Sequence, residues 1–398
     1  MVPKLRFKEF CGEWEEKKLE NIADILSGKR IPKGMHLSII DTGIKYITVS
    51  DMGDKYINIE NIKYISEEIE KKIKKYKVSE NDIIISVAGT LGKINIVTKD
   101  FQNANLTENC DKITNLKGVN YKYLYMYLNS SYIQDQINSI YTVSSQPKLA
   151  LTRIRNFVIK VPSLPEQTKT ADFLSTVDDK IQNQQDKITH LENIKKGFMQ
   201  KILSRKIRFK DDGGEEFSDW EENILKDYIE IITGYPFDSE KFIEENNNNP
   251  IIRIRDLQDN KISLFTTENY DLKYKVYKGD ILIGMDGDFY ITMWKDIEVG
   301  LNQRIMKIKP KIGLIKNNFL YYLLIPLVKH INDITPFTTV KHLSSKDILN
   351  LKVNLPCLKE QQKIEDFLSS FDEKISTEKE TLEHLKQIKK GLLQQMFI

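Results

Sequence analysis

Pro162-Ser163-Leu164-Pro165-Glu166-Gln167 and Pro356-Cys357-Leu358-Lys359-Glu360-Gln361 are one phrase written twice, 194 residues apart. Carried forward at that offset, residues 162–203 and 356–397 share 19 identities in 42 positions, where average residue usage would give roughly two or three. Upstream, Trp14-Glu15-Glu16 with Leu19 returns as Trp220-Glu221-Glu222 with Leu225, each followed by an apolar run ending near Gly28 or Gly234. Tyr76-Lys77-Val78 before Asp82 returns as Tyr274-Lys275-Val276 before Asp280. The order is the same in both halves, so the chain is a tandem duplication of modules of about 200 residues. The boundary falls near Ser204–Asp219, a charged stretch with Gly213-Gly214 that reads as a linker.

Behind each repeated phrase the apolar residues step by threes and fours. Leu174, Val177, Ile181, Gln184, Ile188, Leu191, Lys195, Phe198 and Ile202 form a heptad seam, matched by Leu368, Phe371, Ile375, Glu378, Leu382, Leu385, Lys389, Leu392 and Met396. Pro165 with Glu166 is a favourable helix start, and no further proline occurs before residue 203. A helix of about 39 residues is roughly 58 Å long. Two helices related by duplication can pair antiparallel about a pseudo-twofold axis. A register in which paired numbers sum to 573 sets Lys195 against Glu378, Gln184 against Lys389, Val177 against Met396, Ile181 against Leu392, Ile188 against Leu385, Leu191 against Leu382, Phe198 against Ile375 and Ile202 against Phe371. Leu174 and Leu368 are left without apolar partners in that register.

The first 160 or so residues of each module read as mixed α/β structure. Strands are expected at 45–49, 82–87, 94–97, 251–254 and 280–283, where β-branched apolar residues cluster between turn glycines. A helix is expected from Tyr121 to about Tyr141, with a counterpart from Asn318 to about Ile334 that Pro326 interrupts.

The 398 residues allow two domains with full cores. Sixty Lys and Arg against 57 Asp and Glu leave a net charge of +3, so attraction to nucleic acid must come from local clusters. Cys11, Cys110 and Cys357 are far apart and show no zinc or disulfide spacing, which reads as a reduced, cytoplasmic protein. The N-terminus leads into charged residues, and the longest apolar stretch, Phe319–Val328, is too short for a bilayer. Catalytic signatures are missing from the sequence. It contains no Pro-Pro and hence no amino-methyltransferase tetrapeptide, no GxGxxG, no P-loop around Gly92-Lys93 and no HExxH among His36, His190, His330, His342 and His384. His190 and His384 read as solvated helix positions, and Glu70-Lys71-Lys72 as a solvated helix face instead of a nuclease fragment. Binding is the role this leaves, with two other readings open: a DNA-modifying enzyme with unrecognised motifs, and a coiled-coil adaptor that binds protein alone.

Over essentially its whole length the sequence resembles the specificity subunit of type I restriction-modification systems. The residues that carry the resemblance are the two Glu-Gln phrases, Phe173-Leu174 with Asp178 and Lys180-Ile181, Phe367-Leu368 with Asp372 and Lys374-Ile375, and the openings at Trp14 and Trp220. Lys359 departs from Pro165 of the first copy. The resemblance implies an α/β (α+β) tandem repeat, two target-recognition domains joined by two long antiparallel coiled-coil helices with pseudo-twofold symmetry. The division is 1–160 and 205–354 for the recognition domains, the second including a linker at 205–219, with spacer helices at 161–204 and 355–398. It also implies that each domain reads half of a split site on double-stranded DNA. Because the two copies diverge most outside the helices, the half-sites are expected to differ and the site to be asymmetric. Modification subunits would dock on the helices, and restriction subunits would join through the complex. S-adenosylmethionine, ATP and Mg would belong to the partners, with no cofactor or metal on this chain. A rod of about 58 Å separates reading heads by roughly 17 base pairs.

Base readout needs donors and acceptors on exposed loops. The first module offers Lys29, Arg30, Ser50, Thr90, Lys93, Ser144, Ser145, Gln146 and Lys148. The second offers Arg253, Arg255, Asp286, Asp288, Tyr290, Gln303, Arg304, Thr338, Thr339, Lys341 and His342. Arg253 and Arg255 alternate within a strand-like segment and are expected on one face, suited to guanine.

Overall fold

Ile83, Ile84 and Ile85 show how the first module is built. The computed structural model describes residues 3–140, 147–244, 249–259, 262–336 and 341–397. The strand Ile83–Ser86 is buried throughout, and its alternating side chains enter two different cores. Ile83 and Ile85 join the cluster of Tyr123, Leu124, Ile133 and Leu174, while Ile84 joins Ile47, Met52, Val78 and Leu106. A run with no polar alternation is what a strand covered on both faces requires. It lies in a four-stranded antiparallel sheet with spatial order Asp24–Ser27, Cys110–Thr114, Ile83–Ser86, Ile94–Ile96. A three-stranded sheet of 63–64, 45–47 and 105–106 contributes to the second core.

The helix expected from Tyr121 to Tyr141 is two helices, Tyr121–Leu128 and Ser131–Asn138. The break falls at Asn129-Ser130, where Asn129 Nδ2 donates to the Tyr125 carbonyl at 2.9 Å and Ser130 takes an extended conformation. Short polar side chains that bond to nearby backbone compete with helix continuation. The counterpart, Asn317–Ile334, runs unbroken through Pro326. A proline inside a helix costs about 3 kcal/mol, from the missing hydrogen bond and the clash of its ring with the preceding turn together. That cost is offset by a face on which Phe319, Leu320, Leu324 and Val328 are fully buried.

The second module repeats the layout. Its sheet has the order Ile229–Thr233, Ile305–Pro310, Ile281–Gly284, Ile291–Met293, again antiparallel. Ile281 and Ile283 face one core and Leu282 the other. The strand expected at 251–254 stops at Ile252, because Arg253 N donates to the Asp256 carboxylate at 2.8 Å and opens the short helix Asp256–Asp259. Arg253 and Arg255 therefore sit on a turn, not on a strand face.

The chain divides into two units, Met1–Asp186 with Lys379–Ile398, and Lys187–Glu378. Two long helices, Leu164–Leu203 and Leu358–Met396, contribute to both. In the first unit Leu174, Leu393 and Met396 share one cluster, and Asp178 Oδ1 is 2.7 Å from Lys389 Nζ. In the second, Lys187 pairs with Glu378 at 2.7 Å, Lys195 pairs with Asp372 at 2.5 Å, and Phe198 meets Phe367 and Phe371. Within each unit the segments are thus antiparallel. The register differs from the expected one: Asp178 with Lys389 and Lys195 with Asp372 each sum to 567, a slide of six residues from 573, or roughly 9 Å along the axis. The reason lies in Leu174 and Leu368. The expected register strands both, whereas here both are 0% exposed, each in its unit's core. The eighteen seam positions named from the sequence are all buried or half-buried.

The Glu-Gln phrase has a structural task in each unit. Glu166 accepts from Trp14 Nε1 at 3.2 Å and pairs with Arg6 at 2.7 Å. Glu360 accepts from Trp220 Nε1 at 3.0 Å and pairs with Arg208 at 2.9 Å. Gln167 Nε2 donates to the Pro162 carbonyl and Gln361 Nε2 to the Pro356 carbonyl, both at 2.9 Å. Within the stretch read as a linker, Ile207 and Phe209 pack on the second unit's core.

Candidate nucleic-acid interface

The central strand of each sheet ends in the same backbone construction. In the first unit Val87 N donates to the Asn109 carbonyl and Leu149 N to the Val87 carbonyl, at 2.8 and 2.9 Å. In the second, Met285 N donates to the Arg304 carbonyl and Leu343 N to the Met285 carbonyl, both at 2.8 Å. Ala88 bridges Lys148 as Asp286 bridges His342. Gly89 and Gly287, at φ +78 and +75, turn the loops away from these strands. Matching positions are therefore Ala88 and Asp286, Thr90 and Asp288, Lys148 and His342, Glu108 and Gln303, Asn109 and Arg304.

In the second unit this construction opens into a cavity of about 680 Å³. Three segments that are separate in sequence line it: Arg253–Arg255 with Gln258, Asp286 with Asp288, and Asn302–Ile305. Asp286 is the hub. One carboxylate oxygen is 2.7 Å from His342 Nδ1 and the other 3.4 Å from Arg304 Nε. Arg253 is committed elsewhere, to both oxygens of the buried Asp256 and to Ser263 Oγ at 2.6 Å. Arg255, Asp288 and Gln303 are exposed. Polar groups of both signs converge on one concavity, an arrangement suited to hydrogen-bond readout of base edges.

The corresponding cleft of the first unit, about 360 Å³, has different chemistry. Ser27, Glu108, Asp111 and Lys148 line it. Arg30 reaches its rim by pairing with Glu108 at 2.5 Å. Burial pushes the Asp111 carboxyl up from the usual range, and hydrogen bonding from Ser27 and the charges of Lys148 and Arg155 oppose that shift.

Other expected contacts lie apart from these clefts. Lys29 is exposed with its ammonium over the Tyr76 ring. Ser50 is exposed on a separate turn, 2.8 Å from Thr48 Oγ1. Thr90 is exposed on the Gly89 loop, Lys93 is half-buried, and Tyr290 is 37% exposed. Lys341 is buried and donates to the Asn332 carbonyl at 2.7 Å near a helix end. Ser144, Ser145, Gln146, Thr338 and Thr339 lie outside the described residues. The sequence reading passes over Glu108 and Asp111, and aligning strand 110–114 on 305–310 is the signal that reaches them. It also passes over Arg6 and Arg208, although Lys4-Leu5-Arg6-Phe7 recurs as Lys206-Ile207-Arg208-Phe209. No metal-holding cluster and no membrane-length apolar helix occur among the described residues.

The model of the type I restriction modification DNA specificity domain matches residues 12–193 and again 217–387. The specificity subunit of the type I restriction enzyme EcoBI from Escherichia coli is 33% identical over 175 residues, 44% of this chain but 37% of that protein's length. The MjaVIII specificity subunit of Methanocaldococcus jannaschii is 26% identical over 410 residues, covering 94% of this chain and 95% of its own. Among solved structures, the type I system S subunit from M. genitalium aligns with 100% of this chain and 99% of its own at TM-score 0.56 and 19% identity, a likeness of fold.

Proposed function

The chain belongs to the type I restriction-modification DNA specificity family, and from that membership we propose that it is the non-catalytic subunit that chooses the DNA sequence for its complex. Each recognition domain reads one half of a split site on double-stranded DNA. The long helices space the two heads and offer the docking surface for modification subunits, with restriction subunits joining through the complex. Methyl transfer and cleavage, with S-adenosylmethionine, ATP and Mg, belong to those partners. The complex acts in the cytoplasm.

One observation carries this reading. The two clefts share their backbone construction, yet Ala88, Thr90, Asn109 and Lys148 in one stand where Asp286, Asp288, Arg304 and His342 stand in the other. One scaffold with two donor and acceptor patterns suits two different half-sites, and so an asymmetric target. The test is co-expression with the modification and restriction subunits, followed by single-molecule sequencing of methylated bases. A single split, asymmetric motif that vanishes when this gene is deleted is the expected result. Methylation unchanged by the deletion would overturn the proposal in favour of a protein-only adaptor.

A further inference from the structure

Three arginines line the cavity of the second unit, and their surroundings separate them. Arg253 has its guanidinium fastened to Asp256 and Ser263 and is a structural element of the turn. Arg255 is exposed, and no described contact orients it. Arg304 combines exposure with orientation. Its side chain is 60% exposed, its Nε lies 3.4 Å from Asp286 Oδ2 as an ion pair, and neither terminal nitrogen makes a hydrogen bond among the described residues. Its φ of +132 is one an L side chain rarely adopts. Such strain persists where the surroundings over-determine it, and it clusters at ligand-binding positions. Here the determinants are visible: the Arg304 carbonyl accepts from Met285 N at 2.8 Å, and Ile305 N donates to the Asn302 carbonyl at 3.1 Å. His342 takes the other oxygen of Asp286, so the carboxylate is fixed from both sides.

We propose that Arg304 reads a guanine in the half-site of the second domain, its two terminal nitrogens donating to O6 and N7, with Asp286 as the positioning residue. A guanidinium ion-paired on its Nε side has its terminal nitrogens left to present the planar fork that guanine accepts in the major groove. The first unit has Asn109 and Ala88 at the matching positions, so it lacks an Arg–Asp pair there and the preference is confined to one half-site. Arg255, unoriented, suits a phosphate contact that positions without specifying.

This inference rests on the proposed function and is tested on the assembled complex. Wild-type, Arg304→Ala, Arg304→Lys and Asp286→Asn chains are each co-expressed with the modification subunits, and the methylated motifs are mapped. Both Arg304 variants are expected to relax one guanine position in one half-site, with the other half-site and the gap unchanged, and Asp286→Asn to relax the same position less. If the variants give no methylation, the wild-type complex is titrated with duplexes carrying 7-deazaguanine at each guanine in turn. Affinity should then fall about tenfold or more at one guanine of one half-site. A motif unchanged in Arg304→Ala, a half-site for this domain without guanine, or indifference to 7-deazaguanine at every position would overturn the assignment. A wild-type complex with no sequence-specific methylation would instead overturn the proposed function itself.

Discussion

Lys195 donates to Asp372 at 2.5 Å, and the Tyr322 hydroxyl donates to the other Asp372 oxygen at 2.6 Å. The lysine also lies over the Tyr322 ring, 4.8 Å from its centroid. At 15% exposure the Lys195 side chain is shielded enough for the pair to matter, and the same pair recurs 194 residues on in reversed order, as Asp178 with Lys389. Polar contacts at a helix seam discriminate between registers. Asp372→Asn should cost about 1.5–3 kcal/mol, as for a hydrogen bond to a charged group. Exchanging both charges, Lys195→Asp with Asp372→Lys, should recover part of that in chemical denaturation. The exchange of Lys195 with Glu378 should recover nothing, and recovery there would restore the register summing to 573.

Arg6 and Arg208 carry the second prediction. Glu166 and Glu360 are 2% and 0% exposed, and each accepts from a tryptophan and an arginine. Removing one partner of a buried ion pair strands the other charge at about 3–5 kcal/mol. Arg208→Ala should therefore destabilise the second unit by about 3 kcal/mol, and Arg208→Ala combined with Glu360→Gln by less, since the stranded charge is gone. Urea denaturation of the single and double variants checks this, and a double variant as unstable as the sum of its parts rejects it.

The repeated phrase, the helices behind it and their seam were legible because helix periodicity and duplication are properties of the sequence itself. The register was not. It is set by Leu174 and Leu368 meeting core residues that arrive from elsewhere in each unit, information that spacing along one helix does not contain. Likewise, Asn129 ends a helix with a side-chain bond to the Tyr125 carbonyl, while Pro326 fails to break one whose apolar face is buried. Loops at the candidate site were legible as loops, but their convergence was not. Arg253 looked available until Asp256 was seen to hold it, and Asp286 took on meaning only beside Arg304 and His342.

Asp111 gives a prediction in pH. It is 2% exposed, and burial raises its carboxyl above the unfolded value of about 3.9. Below that value both states are protonated and its contribution to stability is fully present. As pH rises past it, the unfolded chain ionises first, so the contribution shrinks until pH passes the raised folded value. Asp111→Asn lacks this slope. The stability of the variant relative to wild type should therefore increase as pH rises from about 4, measured by urea denaturation at matched pH. A difference that is flat, or that falls with pH, contradicts the assignment.

Gly28 and Gly234 show how tightly the strand ends are built. A Cβ on Gly234 would lie 1.9 Å from the Asn302 carbonyl oxygen, and one on Gly28 2.0 Å from the Thr107 carbonyl oxygen. Both obstacles are backbone, so no side-chain rotation relieves them. Both glycines also donate into the neighbouring strand, Gly28 to Cys110 and Gly234 to Ile305, so the chain cannot retreat without losing a buried hydrogen bond. Gly234→Ala should cost about 3 kcal/mol or more. The loss falls first on the turn that holds Asn302, Gln303 and Arg304 in place. Hydrogen exchange read by mass spectrometry should show lost protection in 229–233 and 305–310, with 24–27 and 110–114 as in wild type. Gly28→Ala should give the mirror result, and in the assembled complex each variant should degrade one half-site only. Equal loss of protection in both units from either substitution would show that the two heads do not respond independently.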